Sequence, residues 1–358
     1  MFKSTSTLAI VAVAIGFTAC KKDSDPVIVI PPSSGAQVQF NGLAGTEAGS
    51  TAGNTVYLDL SGDKTTAINR FSWDLGFFSG PDFRVVLNNT TSAGVKVLTK
   101  HDLNAVGAAD TIGLTLAVSQ TNPTPDDLLF FDDINGDITK TAIPAVSATD
   151  AENKVIILNR GTGGLTGNLP AARPWIKLRV LRGSTGGYVL QYAGIQETTF
   201  KTLQISKNSD YQFTLASFED GVVNGLPEKD KWDINWGYSV FQTDFGGGMV
   251  PYNFSDLISV NHLAGVTSAT KKYADAATAA AAFTAFNKDS VAKITLVAGR
   301  WNIGSSWRST QPATGANLDR FYVIKDPAGN YYKFRCLAMG VSDGGTRGKP
   351  EFKYELIK

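Results

Sequence analysis

The sequence predicts a mainly β protein, built as two tandem antiparallel β units with one or two short helices. Three observations carry this. Alternating apolar runs bounded by glycine and polar turn residues recur along the chain, as half-buried strands do. Helix-period patterns are few. One aromatic–carboxylate stretch, Asp230-Lys231-Trp232-Asp233-Ile234-Asn235-Trp236, has an earlier echo at Phe71-Ser72-Trp73-Asp74-Leu75-Gly76-Phe77. Both copies read as strands with a core Trp. The adjacent Asp then points to the other face, where it meets a wetter surface or accepts backbone hydrogen bonds.

Composition narrows the function. A hydrophobic fraction of 43% is enough for real cores, and 358 residues allow about two domains. The formal charge is +1 and no basic run interleaves with aromatics, so nucleic acid is not a partner. Two His, two Cys and three Met leave little material for metal or catalytic chemistry.

The amino terminus comes first in chain order. Lys3 precedes a short apolar run from Leu8 to Phe17, too short to span a bilayer. The run ends in Phe17-Thr18-Ala19-Cys20 and resembles a bacterial lipoprotein signal, with Phe where Leu is usual. Residues 1–19 are then a signal peptide and Cys20 the lipidation site. Lys21-Lys22-Asp23-Ser24-Asp25 resembles the surface-export signal of Bacteroidota lipoproteins. The expected location is the outer membrane, lipid-anchored and surface-exposed rather than spanning. Residues 20–54 read as tether and lead-in, because Pro26, Pro31, Pro32 and the β-branched residues between them hold no helix.

The first unit is expected over 55–207 and the second over 208–358. Thr55-Val56-Tyr57-Leu58-Asp59-Leu60 leads into Trp73-Asp74 as Asp210-Tyr211-Gln212-Phe213-Thr214-Leu215 leads into Trp232-Asp233. Each Trp-Asp stretch is followed by an Ala-Gly-Val step, at Ala93-Gly94-Val95 and Ala264-Gly265-Val266, and later by Asn159-Arg160-Gly161 or Gly299-Arg300-Trp301. Each unit closes on a hairpin, 175–190 or 321–334, and a last strand, 200–205 or 352–357. Trp73 to Tyr188 is 115 residues and Trp232 to Tyr331 is 99, so the first unit carries a surplus of 16, assigned to the segment from Val106 to Pro144. Alanine propensity predicts one helix over Tyr273 to Lys288, docking through Tyr273, Ala277, Ala280, Phe283 and Phe286. Asp102 to Ala109 is a candidate short counterpart. Cys336, the one thiol left once Cys20 is lipidated, reads as a small buried hydrophobe.

With these residues in place the chain resembles the HmuY-like haem-binding lipoproteins of Bacteroidota. The matching features are the lipobox with its charged follow-on, the Asp230-Lys231-Trp232-Asp233-Ile234 stretch, and the run from Tyr322 to Arg335. The resemblance covers most of the mature chain as two copies of one unit, the first more degenerate. It implies a nearly all-β, non-catalytic surface protein that captures haem or a related tetrapyrrole and hands it to an outer-membrane TonB-dependent receptor. Axial ligation needs imidazole or thioether on both faces of the iron. No unit holds two His, and the pair best placed in sequence is Met249, in the glycine loop Phe245-Gly246-Gly247-Gly248-Met249, with His262. His101 reads as a surface residue at a helix start. It would pair with His262 only if the units faced each other.

Other chemistry fits poorly. Asp132-Asp133-Ile134-Asn135-Gly136-Asp137 alternates oxygen ligands but lacks the glycine and bidentate glutamate a calcium loop needs. No G-x-S-x-G elbow and no phosphate-cradling loop is present. Trp301 and Trp307 are candidates for stacking on sugar rings or for the core. The competing expectation to haem capture is a structural, adhesive or glycan-binding surface lipoprotein that keeps the fold without iron ligands.

Overall fold

The computed structural model describes residues 31–119, 121–166 and 169–358, so the signal segment and Cys20 lie outside the described residues. The protein is mainly β, as expected. It begins earlier than composition suggests. β1 (Gly35–Gln39) sets Val38 opposite Phe352 of the last strand, and Phe40 behind it is fully buried. The lead-in placed at 20–54 is therefore part of the fold from Gly35 onward. Beyond Pro32 no proline interrupts the ladder, and Ala36 and Val38 pack on the core.

The hairpin β2 (Asn54–Asp59) and β3 (Lys64–Asn69) comes next, then β4 (Leu75–Phe78), β5 (Val85–Leu87), β6 (Gly94–Val97) and β7 (Ile156–Asn159). A small hairpin, β8 (Thr162–Thr166) and β9 (Leu169–Ala172), precedes the meander β10 (Ile176–Arg182), β11 (Tyr188–Gly194) and β12 (Lys201–Ile205). The second half opens with the hairpin β13 (Phe213–Ser217) and β14 (Gly221–Val223), then the long pair β15 (Ile234–Asp244) and β16 (Met249–Val260). It continues through β17 (Thr267–Lys272), the helices α1 (Ala276–Ala285) and α2 (Lys288–Val291), and β18 (Val297–Ala298). A second small hairpin, β19 (Arg308–Thr310) and β20 (Ala313–Ala316), leads to β21 (Arg320–Lys325), β22 (Tyr331–Ala338) and β23 (Glu351–Leu356).

Four main sheets result, in the orders β1-β23-β22-β21-β17-β18, β16-β15-β2-β3, β14-β13-β4-β5 and β12-β11-β10-β7-β6. The first two pack around Val56, Leu58, Ile234 and Trp236 on one side and Tyr322, Phe334, Phe352 and Tyr354 on the other. The last two pack Leu75, Phe77 and Ala216 against Ile156, Leu178, Tyr188 and Leu190. Each sandwich thus has an outer sheet and an inner, four-stranded one, with alternate strand residues buried between them. Cys336 is buried in the first core, where burial pushes its thiol well up.

The inner sheets mix the two halves of the chain. The β2–β3 hairpin pairs with β15, Leu58 opposite Ile234, while the β13–β14 hairpin pairs with β4, Ala216 opposite Leu75. The described residues from Pro32 to Lys358 form one compact unit. The outer sheets correspond less closely. β10 lies beside β7, whereas β21 lies beside β17, which precedes the helices.

The helix is shorter than Tyr273 to Lys288. Asp275 caps α1 by accepting from Thr278 N at 2.7 Å, and the chain is extended again at Phe286. Its buried face is Ala279 and Phe283, with Phe283 edge-on to Phe321 at 5.5 Å; Ala277 is exposed. The shift follows from where the cap sets the first turn. Asp102 to Ala109 forms 3-10 turns at Leu103–Ala105 and Ala108–Thr111, separated at Gly107, rather than an α-helix.

Candidate functional site

The two inner sheets present their second faces to a shared cleft. On β2, Val56 and Leu58 belong to the core, so Thr55 and Tyr57 face the cleft; on β15, Asn235 and Gly237 do so, alternating with the core residues Ile234 and Trp236. The opposite wall is Val86 of β5 with Phe213 and Leu215 of β13, and Phe131 to Ile138 close a third side. That third side belongs to the segment between Val106 and Pro144. Trp73, Trp232, His262, Arg300 and Trp301 complete the lining. The cavity itself is about 190 Å³ and is continuous with solvent at its mouth.

The second halves of the two stretches are strand, and Trp236 is a core residue, but Trp73-Asp74 and Trp232-Asp233 are neither strand nor core tryptophans. β4 and β15 begin after them, at Leu75 and Ile234, and these dipeptides lie in turns pinned by buried asparagines. Asn88 Nδ2 donates to the carbonyls of Arg70 and Trp73, both at 2.8 Å; Asn261 Nδ2 donates to those of Lys229 and Trp232 at 2.8 and 2.9 Å. The turns release both indoles into the cleft. The carboxylates hold the exchanged hairpins. Asp233 Oδ2 accepts from Leu60 N at 2.7 Å, and Asp74 Oδ2 accepts from Phe218 N at 3.0 Å.

The charges around these matched turns differ. Asp74 is met by Arg160 and Arg173, each at 2.9 Å, and Arg160 also grips Glu219 with two bonds of 2.6 Å. Burial opposes the Arg160 charge, but its hydrogen bonds to Glu219 and Asp74 outweigh that and hold its pKa above the ordinary value. Among the described residues Asp233 has no ion pair, and burial pushes its pKa up to about 8. Arg300, which follows β18 as Arg160 follows β7, accepts from Val260 N through its carbonyl, but its side chain makes no hydrogen bond or ion pair among the described residues. Its guanidinium lies 4.7 Å over the Trp301 ring, and burial lowers its pKa against the pull of Asp132. Tyr57 stands beside it, edge-on to Trp232 at 5.0 Å. Its hydroxyl has no partner among the described residues, and burial pushes it up to about 12.

Asp132, in the third wall, accepts from Leu87 N at 2.7 Å and Ala142 N at 2.8 Å, and burial pushes it up to about 6. The Asp132 to Asp137 segment is a polar turn in which Asp133 accepts from Asp137 N at 3.1 Å. Among the described residues no three His, Cys, Asp or Glu side chains gather as a metal site.

The proposed iron ligands do not come together. His262 borders the cleft, but its Nε2 lies 3.1 Å from the Gly136 carbonyl, the geometry of an imidazole N–H donating to it, and burial lowers its pKa below the ordinary value. Gly136 has φ +78°, and a Cβ there would fall 2.9 Å from that same nitrogen, so the loop sits flush on the ring. Met249 is at the far end of β16, 43% exposed on the β15–β16 turn and not in the cleft lining. A strand of that length separates the two by on the order of 30 Å. The pair is corrected on that ground: two ligands of one iron must lie within a few ångströms of it. His101 is exposed and Met339 is buried in the first core, so neither substitutes. Trp307 is a core residue, its indole donating to Asp256 O at 2.8 Å, whereas Trp301 lines the cleft and donates to Ile134 O.

Sequence reasoning passed over Tyr57 and treated Arg300 only as part of a repeat. The available signal was that repeat itself, since its first copy has acidic partners for the arginine and its second does not. No helix of the described residues is long and apolar enough to cross a membrane. No curated protein and no solved structure matches the chain. The family model for the HmuY protein matches residues 52–354, most of the chain, and the protein belongs to the HmuY family.

Proposed function

We propose that this protein is a non-catalytic, lipid-anchored cell-surface protein that takes haem or a related tetrapyrrole into the cleft between its inner sheets and passes it to an outer-membrane receptor. The HmuY family is associated with haem binding, surface location and no enzymatic role. The observation that carries the reading to this chain is the cleft itself, with Trp73, Trp232, Trp301 and Tyr57 offering flat apolar surface to a flat apolar guest. Two axial side chains are not part of the reading, because the cleft does not assemble them. The macrocycle would be held through its faces and edge.

A second reading, a glycan-binding module, is favoured by Asn235, Ser259 and Thr55 beside the same indoles, amide and hydroxyl groups suited to sugar hydroxyls. Titration of the full chain with haemin separates the two. Tetrapyrrole capture gives a saturable Soret change at about micromolar affinity or tighter, weakened in Trp232→Ala and untouched in Met249→Ala. A flat spectrum with no quenching of tryptophan fluorescence would sink it and leave the glycan reading.

A further inference from the structure

Arg300 and Tyr57 line the cleft with side chains that make no hydrogen bond among the described residues, and Thr55 Oγ1 nearby is likewise unpartnered. Arg300 sits against Trp301 and Tyr57 against Trp232, on neighbouring walls, and each senses the other's charge. Among the described residues neither the guanidinium nor the phenol has a hydrogen-bond partner. Arg300 is half-buried with its guanidinium unpartnered among the described residues, whereas this fold satisfies the buried Arg160 with Asp74 and Glu219. Asp132 is near, but its two oxygens are already held by Leu87 N and Ala142 N. The open donors are five N–H of one planar fork and one O–H, the set that suits an oxyanion, best a carboxylate taken by two parallel bonds.

We propose that the cleft selects its ligand by a carboxylate group, bound by the Arg300 guanidinium and the Tyr57 hydroxyl while the indoles of Trp232 and Trp301 cover the ligand's apolar body. The inference rests on the tetrapyrrole reading and sharpens it: the protein reads the acid edge of the macrocycle and is indifferent to the metal at its centre. The apolar walls supply contact area, and the oxyanion site supplies orientation and discrimination.

The test uses the full chain and two probes, metal-free protoporphyrin IX and its dimethyl ester, followed by quenching of tryptophan fluorescence. The free acid should bind with an affinity close to that of haemin, and the ester about tenfold more weakly or worse, the worth of a charge-assisted hydrogen bond. In Arg300→Gln the acid and the ester should bind alike, because only the acid loses its anchor. Tyr57→Phe should narrow the gap severalfold, and it serves as the test if Arg300→Gln does not fold. Equal binding of acid and ester to the unsubstituted chain overturns the inference while leaving the tetrapyrrole reading intact. So does an acid preference that survives both substitutions. Binding of haemin but not of metal-free protoporphyrin shows that the iron is read after all and overturns the inference too. Failure of every porphyrin to bind ends the underlying reading, and the inference with it.

Discussion

Asp74 and Asp233 occupy the same place in two matched turns, yet their charged surroundings differ. Each follows a cleft tryptophan, each is backed by an asparagine, and each receives a backbone N–H from a hairpin of the other half of the chain. Around Asp74 the chain supplies two buried arginines; around Asp233 it supplies none among the described residues. Backbone geometry therefore does not depend on the ion pair. The carboxylate's acceptor oxygen is what the fold uses, and the charge is optional. The half with the complete ion-pair network has its arginine fully committed to structure, whereas the other half keeps Arg300 open to the cleft.

The sharpest way to break this comparison is to remove the Asp74 charge. Asp74→Asn leaves Arg160 and Arg173 buried with only Glu219, and the loss should be about 3–5 kcal/mol in a urea melt. Asp233→Asn keeps an acceptor for Leu60 N and has no proton to retain, so it should cost under about 1 kcal/mol near pH ~4 and nothing at neutral pH. Similar losses at both positions would show that the turns are not distinguished by charge. A middling effect is expected from the asparagines. Asn88→Ala and Asn261→Ala each strand two carbonyls and should each cost about 1–3 kcal/mol, equally in the two halves; a large inequality would show that only one turn depends on its clamp.

pH gives an independent test. The folded pKa of Asp233, about 8, lies above its ordinary value near 3.8, so folding retains a proton that the unfolded chain releases. Stability from this group is fully present below pH ~4 and falls as pH rises to about 8, by up to about 1.4 kcal/mol per pH unit. Asp132, raised to about 6, adds loss of the same sign between pH ~4 and 6. Thermal melts of Asp233→Asn should therefore decline less between pH 5 and 8 than those of the unsubstituted chain. Parallel curves would refute the assignment of a neutral Asp233.

Local pattern was enough to read the β class and the closing meanders β10–β12 and β21–β23, because alternation and glycine turns are local signals. The cleft was much less legible. Trp73 and Trp232 resemble core residues in any local window, and only the clamps from Asn88 and Asn261, 15 and 29 residues away, show them to be turn residues facing outward. The pairing of β2 with β15 spans about half the chain and leaves no periodic trace. Met249 and His262 looked like partners because they are 13 residues apart in sequence, but an extended strand converts that interval into distance rather than proximity.

The trading of hairpins also governs how this protein tolerates being divided. A cut between Ile205 and Phe213 produces two fragments, each holding a two-stranded ribbon that completes the other and an unprotected sheet border at β4 or β15. Neither piece is self-sufficient, since such a border invites association with any available strand. Their natural remedy is mutual, so the severed pieces should recover order when mixed, by the same reciprocal clasp that closes the intact chain.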